Sequence, residues 1–242
     1  MAADPTKLLE SLASARAYNS TLEGVPILDP WLTKVNGPPS SGPYSTYLSQ
    51  LSDLGAMARV RVPSAKIDLP VYHGTSDDTI AKGVGHLYGT SLPVGGAGTH
   101  TVLTSHTGMS NATLLDHLID VKQGDLFFID VAGETLAYEV DQIKVVLPTE
   151  IKDLIAEPGQ DLATLFTCTP YAVNSHRLLV RGHRVPFEGK VAEVAKATED
   201  PGFVMETWMW WLVGAAGASA ALLVVIVVTN RRRRFGRVPA TR

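Results

Sequence analysis

Between residues 58 and 185 the apolar side chains come in short β-branched runs, and this texture limits the fold more than any other feature of the chain. Residues 59–63 (RVRVP) alternate in the manner of a half-buried strand. Further runs occupy residues 66–72, 101–104, 126–131, 136–146, 162–167 and 177–184. Turn residues such as His73-Gly74 punctuate them at short intervals. Many short strands with little helix between them predict a mostly β fold, a closed barrel or a sandwich. Two short helices are expected, over residues 7–18 (KLLESLASARAY) and near residues 111–118, while residues 35–47, rich in Gly, Pro and Ser, read as a connecting loop.

The single cysteine, Cys168, stands at the end of the 162–167 run, and Arg177 opens the next run after a turn containing Pro170, Asn174 and Ser175. One cysteine permits no internal disulfide. A thiolate attacks carbonyl carbon, and a fixed guanidinium nearby stabilises the resulting oxyanion. Arginine suits that task because it stays charged and its donors form a rigid fork. Alone, such a cysteine is more often an inert core residue and such an arginine a surface charge. The two within one hairpin-like segment make the reactive reading stronger.

The missing proton carrier is a histidine. His106 follows an apolar strand and precedes a glycine, in VLTSHTG. The rivals are His73, His86, His100, His117, His176 and His183. His176 directly precedes Arg177, so strand alternation sends it to the opposite face.

Thr164-Leu165-Phe166-Thr167-Cys168-Thr169-Pro170-Tyr171, with Asn174-Ser175-His176-Arg177-Leu178-Leu179-Val180-Arg181-Gly182 after it, resembles the TLxTC signature and downstream arginine of the sortases. The closest resemblance is to class C, the pilus-assembling sortases of Gram-positive bacteria, and it covers most of residues 5–230. Ala172 departs from the glycine expected in this turn. The resemblance implies a closed sortase-type β-barrel with short helices, preceded by an N-terminal helix and a lid loop. It implies His106, Cys168 and Arg177 as the catalytic set, and Thr167 as a residue touching the bound peptide. Asp29-Pro30-Trp31 matches the lid motif of class C, whose aspartate reaches the catalytic arginine and whose aromatic ring covers the cysteine. Taken by itself, the same stretch reads as a proline-rich loop with its tryptophan in a surface groove. Residues 148–159 correspond to the loop that shapes the sortase substrate groove, and Ile151, Leu154 and Ile155 are candidates to line it. Asp77 and Asp78 read as solvated turn acids.

Charge divides the chain. Six of the 21 basic residues, Arg231, Arg232, Arg233, Arg234, Arg237 and Arg242, follow the last acid, Glu206, so residues 1–230 carry 15 basic and 24 acidic side chains. That acidic body argues against nucleic-acid binding. No second cysteine and no HExxH suggests a metal site. Residues 208–228 are uncharged, begin with three tryptophans within four positions and are followed by the arginine block. About 20 apolar residues cross a bilayer as a helix, aromatic rings favour its border, and flanking arginines stay cytoplasmic. A buried core helix is the alternative.

The expected layout is therefore a helix and lid region at 1–50, a catalytic barrel at 51–190, a linker at 191–207, a transmembrane helix at 208–228 and a basic cytoplasmic tail at 229–242. A single-pass C-terminal anchor would leave the catalytic domain outside the cell membrane. Export needs a signal that residues 1–30 lack, so a trimmed or replaced N-terminus is expected.

The implied activity is a cofactor-independent cysteine transpeptidase. It would cleave LPXTG-type sorting signals of pilin or surface proteins and join them to a lysine amine. The competing readings are a housekeeping sortase that anchors proteins to peptidoglycan, a non-catalytic membrane-anchored binding module, and a plain cysteine peptidase.

Overall fold

The computed structural model describes residues 4–22, 42–53, 55–109, 112–150, 152–171 and 173–186. The lid motif at 29–31, Ile151, Ala172 and the 208–228 run lie outside them. Among the described residues no helix is long and apolar enough to cross a membrane.

Eight strands close into a barrel in the order β1-β2-β3-β4-β7-β8-β6-β5. They are β1 (Ala58–Val62), β2 (Ile67–His73), β3 (Val84–His86), β4 (Thr99–Thr104), β5 (Leu126–Val131), β6 (Glu134–Val146), β7 (Asp161–Thr169) and β8 (His176–Val185). Most neighbours are antiparallel, but β2–β3 and β4–β7 run parallel. Closure leaves no sheet edge to protect, and alternation along each strand separates an inner from an outer face. The inner face packs Val60, Val62, Val71, Val84, Leu103, Phe127 and Ile129 with Ala163, Leu165, Leu178 and Val180. Gly182 leaves room for the Phe127 ring: a Cβ there would meet it at 2.6 Å.

Helix α1 (Pro5–Asn19) extends the expected 7–18 segment by a residue or two. Asp4 caps it, its Oδ1 accepting from the Thr6 N–H at 3.0 Å, and Leu12 and Ala15 form the buried face. Asn19 fixes the far end by exchanging two hydrogen bonds with the backbone of Leu92, 3.1 and 2.7 Å.

Three expectations need correction. Helix α2 (Gly42–Ser49) occupies the end of the stretch read as loop. Its Tyr47 is fully buried, and the hydroxyl meets His86 Nδ1 at 3.0 Å while accepting from the Gly74 N–H at 2.9 Å. That anchoring outweighs the helix-breaking composition before it. The helix expected near 111–118 is a 3-10 turn at Asp116–Asp120. Asp77 and Asp78, read as turn acids, form the first turn of α3 (Asp77–Lys82), capped by Ser76.

Candidate active site

Two strand pairings build the site. Thr104 of β4 lies beside Phe166 of β7. Cys168 of β7 lies directly opposite Arg177 of β8. Residues paired in this way project to one face, with Cβ atoms about 4.5–5.5 Å apart. That face is the outer one. Ala163 and Leu165 of β7 belong to the interior, whereas Phe166 packs outside with Leu87, Val102, Val146, Leu154 and Leu179. Cys168 follows Phe166 by two residues and Arg177 precedes Leu179 by two, so both continue this outer cluster. The thiol and the guanidinium thus border an apolar floor.

Both are buried, Cys168 at 6% and Arg177 at 4% exposure. A buried guanidinium must be hydrogen-bonded. Arg177 Nη1 donates to the carbonyls of Asn174 and His176 at 3.2 and 3.1 Å. Asn174 adopts a left-handed φ of 59°, a conformation that asparagine tolerates better than most residues. The turn chemistry seen in the sequence therefore orients the arginine.

The segment carrying His106 is tied down on both sides. Ser105 Oγ lies within hydrogen-bonding distance of the carbonyls of Ile80 and Gly83, at 2.8 and 2.6 Å. Thr167 Oγ1 donates to the Ser105 carbonyl at 2.8 Å and bonds the Thr107 hydroxyl. The Gly108 N–H donates to Asp116 Oδ1 at 2.7 Å, and the Leu115 N–H to the His106 carbonyl at 3.3 Å. These bonds hold residues 105–108 alongside the Thr167–Cys168 end of β7. His106 is half-buried, and burial pulls its pKa below 6.5 against the opposing pull of Asp77.

The structure thus gathers the His106 segment, Cys168 and Arg177 at one end of the barrel. Thr167 is 2% exposed, and its hydroxyl bonds the Ser105 carbonyl and the Thr107 hydroxyl, a tie to the His106 segment that the sequence did not suggest. Sequence reasoning missed Ser105 and Thr107, which flank His106 without a signal of their own, and Asp116, which fell in the segment expected to be helix.

Three of the other histidines are engaged elsewhere. His86 is fully buried between the Tyr47 hydroxyl and the Ser91 carbonyl, and burial lowers its pKa to about 4. His73 Nε2 meets the Gln50 carbonyl at 2.6 Å. His176 bonds Ser175 Oγ at 2.9 Å.

The 147–160 connection runs from β6 to β7 and places Leu154 in the outer cluster, while Ile155 is largely exposed. Two ion pairs fasten it to neighbouring strands: Lys144–Asp153 at 2.6 Å and Arg181–Glu157 at 2.9 Å.

The Sortase domain profile matches residues 60–185, slightly more than half of the 242 residues. The structure is similar to sortase C-1 from Actinomyces oris, with 53% identity and a TM-score of 0.71 over 74% of this chain and 99% of that one. It is also similar to sortase A from Corynebacterium diphtheriae, with 52% identity and a TM-score of 0.72 over 76% of this chain and 86% of that one. The pilus-related sortase C of Group B Streptococcus matches with 43% identity and a TM-score of 0.69, covering 77% and 93% of the two chains. A sortase A of Bacillus anthracis is 25% identical over 134 residues; the match takes in 55% of this chain and 62% of that protein, less than two thirds of its length. Domain profile, barrel and signature agree: the chain belongs to the sortase family, in class C.

Proposed function

We propose that this chain is a cysteine transpeptidase that polymerises pilin subunits. One observation carries the reading: Cys168 and Arg177 are register partners on the outer face, at the end of the strand whose Thr167 binds the His106 segment. The likeness to the pilus-related sortase C of Group B Streptococcus supports pilins as substrates.

The Cys168 thiolate attacks the Thr carbonyl carbon of an LPXTG-type sorting signal. The oxygen takes the electron pair and lies against the Arg177 guanidinium, whose two carbonyl contacts hold it in place. The tetrahedral intermediate collapses, the Thr–Gly C–N bond breaks, and protonated His106 gives its proton to the departing glycine amine. A thioester remains. The ε-amine of a pilin lysine then attacks it, the C–S bond breaks, and His106 accepts the amine's proton. The product is an isopeptide bond, and neither half-reaction calls for a metal or an organic cofactor. The buried apolar cluster of Val102, Phe166 and Leu179 supports the strands that carry Cys168 and Arg177.

Asp29, Pro30 and Trp31 act in this reading as a lid that must move for the signal to enter. Residues 208–228 anchor the chain in the cell membrane, with the arginine tail cytoplasmic and the barrel outside. The layout keeps the boundaries expected from the sequence. A second reading, attachment of surface proteins to peptidoglycan, draws on the likeness to chains named sortase A.

The test is incubation with an LPXTG-bearing pilin. Covalent ladders that disappear in Cys168→Ala support polymerisation. A single pilin linked to a peptidoglycan amine supports the second reading. Cleavage without amine incorporation marks a peptidase, and turnover that survives thiol alkylation removes the cysteine mechanism.

A further inference from the structure

One buried histidine on the outer face is unused by this mechanism. His100 of β4 is 1% exposed, and its two ring nitrogens join different elements. Nδ1 lies 3.1 Å from the Ile155 carbonyl, in the 147–160 connection. Nε2 lies 2.7 Å from Thr164 Oγ1, on β7. A carbonyl only accepts, so Nδ1 carries the hydrogen and Nε2 accepts from the Thr164 hydroxyl. Burial lowers the His100 pKa, which favours this neutral form.

Position gives the contact its meaning. Thr164, Phe166 and Cys168 are alternate residues of β7 and line one face. Thr164 stands four residues before Cys168, about 13 Å away along the strand. Phe166, between them, packs against Leu154, the neighbour of Ile155. The bond from His100 therefore fixes the backbone next to Leu154, a member of the buried cluster that adjoins the Cys168 face. The Lys144–Asp153 and Arg181–Glu157 pairs hold the same connection at partly exposed points, where ion pairs contribute little. His100 supplies a buried polar attachment.

We propose that the Thr164–His100–Ile155 chain is a latch that positions the 147–160 connection for peptide binding, making His100 and Thr164 positioning residues for substrate affinity. This assigns a task to the first threonine of the TLFTC motif, distinct from the chemistry at its cysteine. The proposal rests on the reading of the outer face as a peptide groove.

The experiment compares Thr164→Val, which removes the hydroxyl at nearly constant volume, with Thr164→Ser, which keeps it. Steady-state cleavage of an LPXTG peptide by the whole chain is measured beside the rate of Cys168 alkylation by iodoacetamide. The latch predicts a KM raised about three- to tenfold in Thr164→Val, the scale of one buried hydrogen bond, with kcat within twofold and alkylation unchanged. Thr164→Ser should restore KM. Unchanged KM in Thr164→Val overturns the proposal, as does a fall in kcat and alkylation together, which would mark a general support of the barrel. Limited trypsin digestion gives a readout without turnover: Lys152, exposed in the connection, should be cut faster in Thr164→Val. If the unaltered chain cleaves no peptide, the transpeptidase reading fails by itself, and equal digestion rates would then overturn the latch as well.

Discussion

Replacing Thr167 by valine would separate the positioning of His106 from its chemistry. The change keeps the shape and removes one hydroxyl. That hydroxyl donates to the Ser105 carbonyl at 2.8 Å and bonds the Thr107 hydroxyl. Ser105 is fully buried, so its carbonyl loses a partner that water cannot replace, whereas the half-buried Thr107 can turn to solvent. Leaving one buried acceptor unsatisfied costs about 1–3 kcal/mol. For a chain of this size that lowers the melting temperature by about 2–12 °C. The larger effect should fall on turnover. An ångström of misplacement at a catalytic group costs up to about 100-fold, and residues 105–107 lose the side-chain tie that Thr167 gives them to β7. The expectation is a kcat reduced about ten- to a hundredfold with KM nearly unchanged, measured on an LPXTG peptide at a temperature where both proteins are folded. Thr167→Ser should recover most of the rate. A raised KM at constant kcat would refute the reasoning, because it would mean that the hydroxyl binds the peptide. Equal losses in the serine and valine variants would implicate the methyl group instead.

Arg177→Lys keeps the charge and loses the planar guanidinium whose Nη1 bonds two backbone carbonyls; kcat should fall about 100- to 1000-fold, the scale of a lost oxyanion donor, and a loss under threefold would remove Arg177 from that role. Asp77 pulls the His106 pKa upward against burial, so Asp77→Asn should lower it further below 6.5; NMR titration of His106 checks the direction, and a rise would contradict it. His86 titrates near 4 in the folded chain against the ordinary histidine value of 6.5, so the unfolded state binds its proton first. Stability is then fully present above about 6.5 and declines as pH falls toward 4, by on the order of 3 kcal/mol; urea unfolding at pH 7 and pH 4.5 measures the slope, which should flatten in His86→Phe. Tyr47→Phe removes the hydroxyl shared by His86 and Gly74 and should cost about 1–3 kcal/mol in the same assay.

Local pattern carried much of this structure. The run at 126–131 coincides with β5, and the expected hairpin around the cysteine is the β7–β8 pair. Cys168 and Arg177 were legible because a turn joins them and their register follows from it. Tertiary placement was not. The parallel pairing of β4 with β7 joins strands about 60 residues apart, and nothing in either run signals it. The roles of Ser105, Thr107 and Thr167 depend on that pairing, so their hydroxyls read as turn and motif residues. Three-residue β3 is too short to show a period, and it exists through its partners β2 and β4. Helix α2 follows a Pro- and Gly-rich stretch, and its stability comes from Tyr47 packing on the barrel.

The central claim is that Cys168 carries the acyl group between two amines. Intact-mass spectrometry of the chain, acid-quenched after mixing with an LPXTG peptide, tests it most directly. The account predicts an adduct equal to the peptide up to its threonine, located on Cys168, discharged by a lysine amine into an isopeptide product, and absent in Cys168→Ala. Peptide cleavage with no adduct at any quench time, and undiminished in Cys168→Ala, would contradict it.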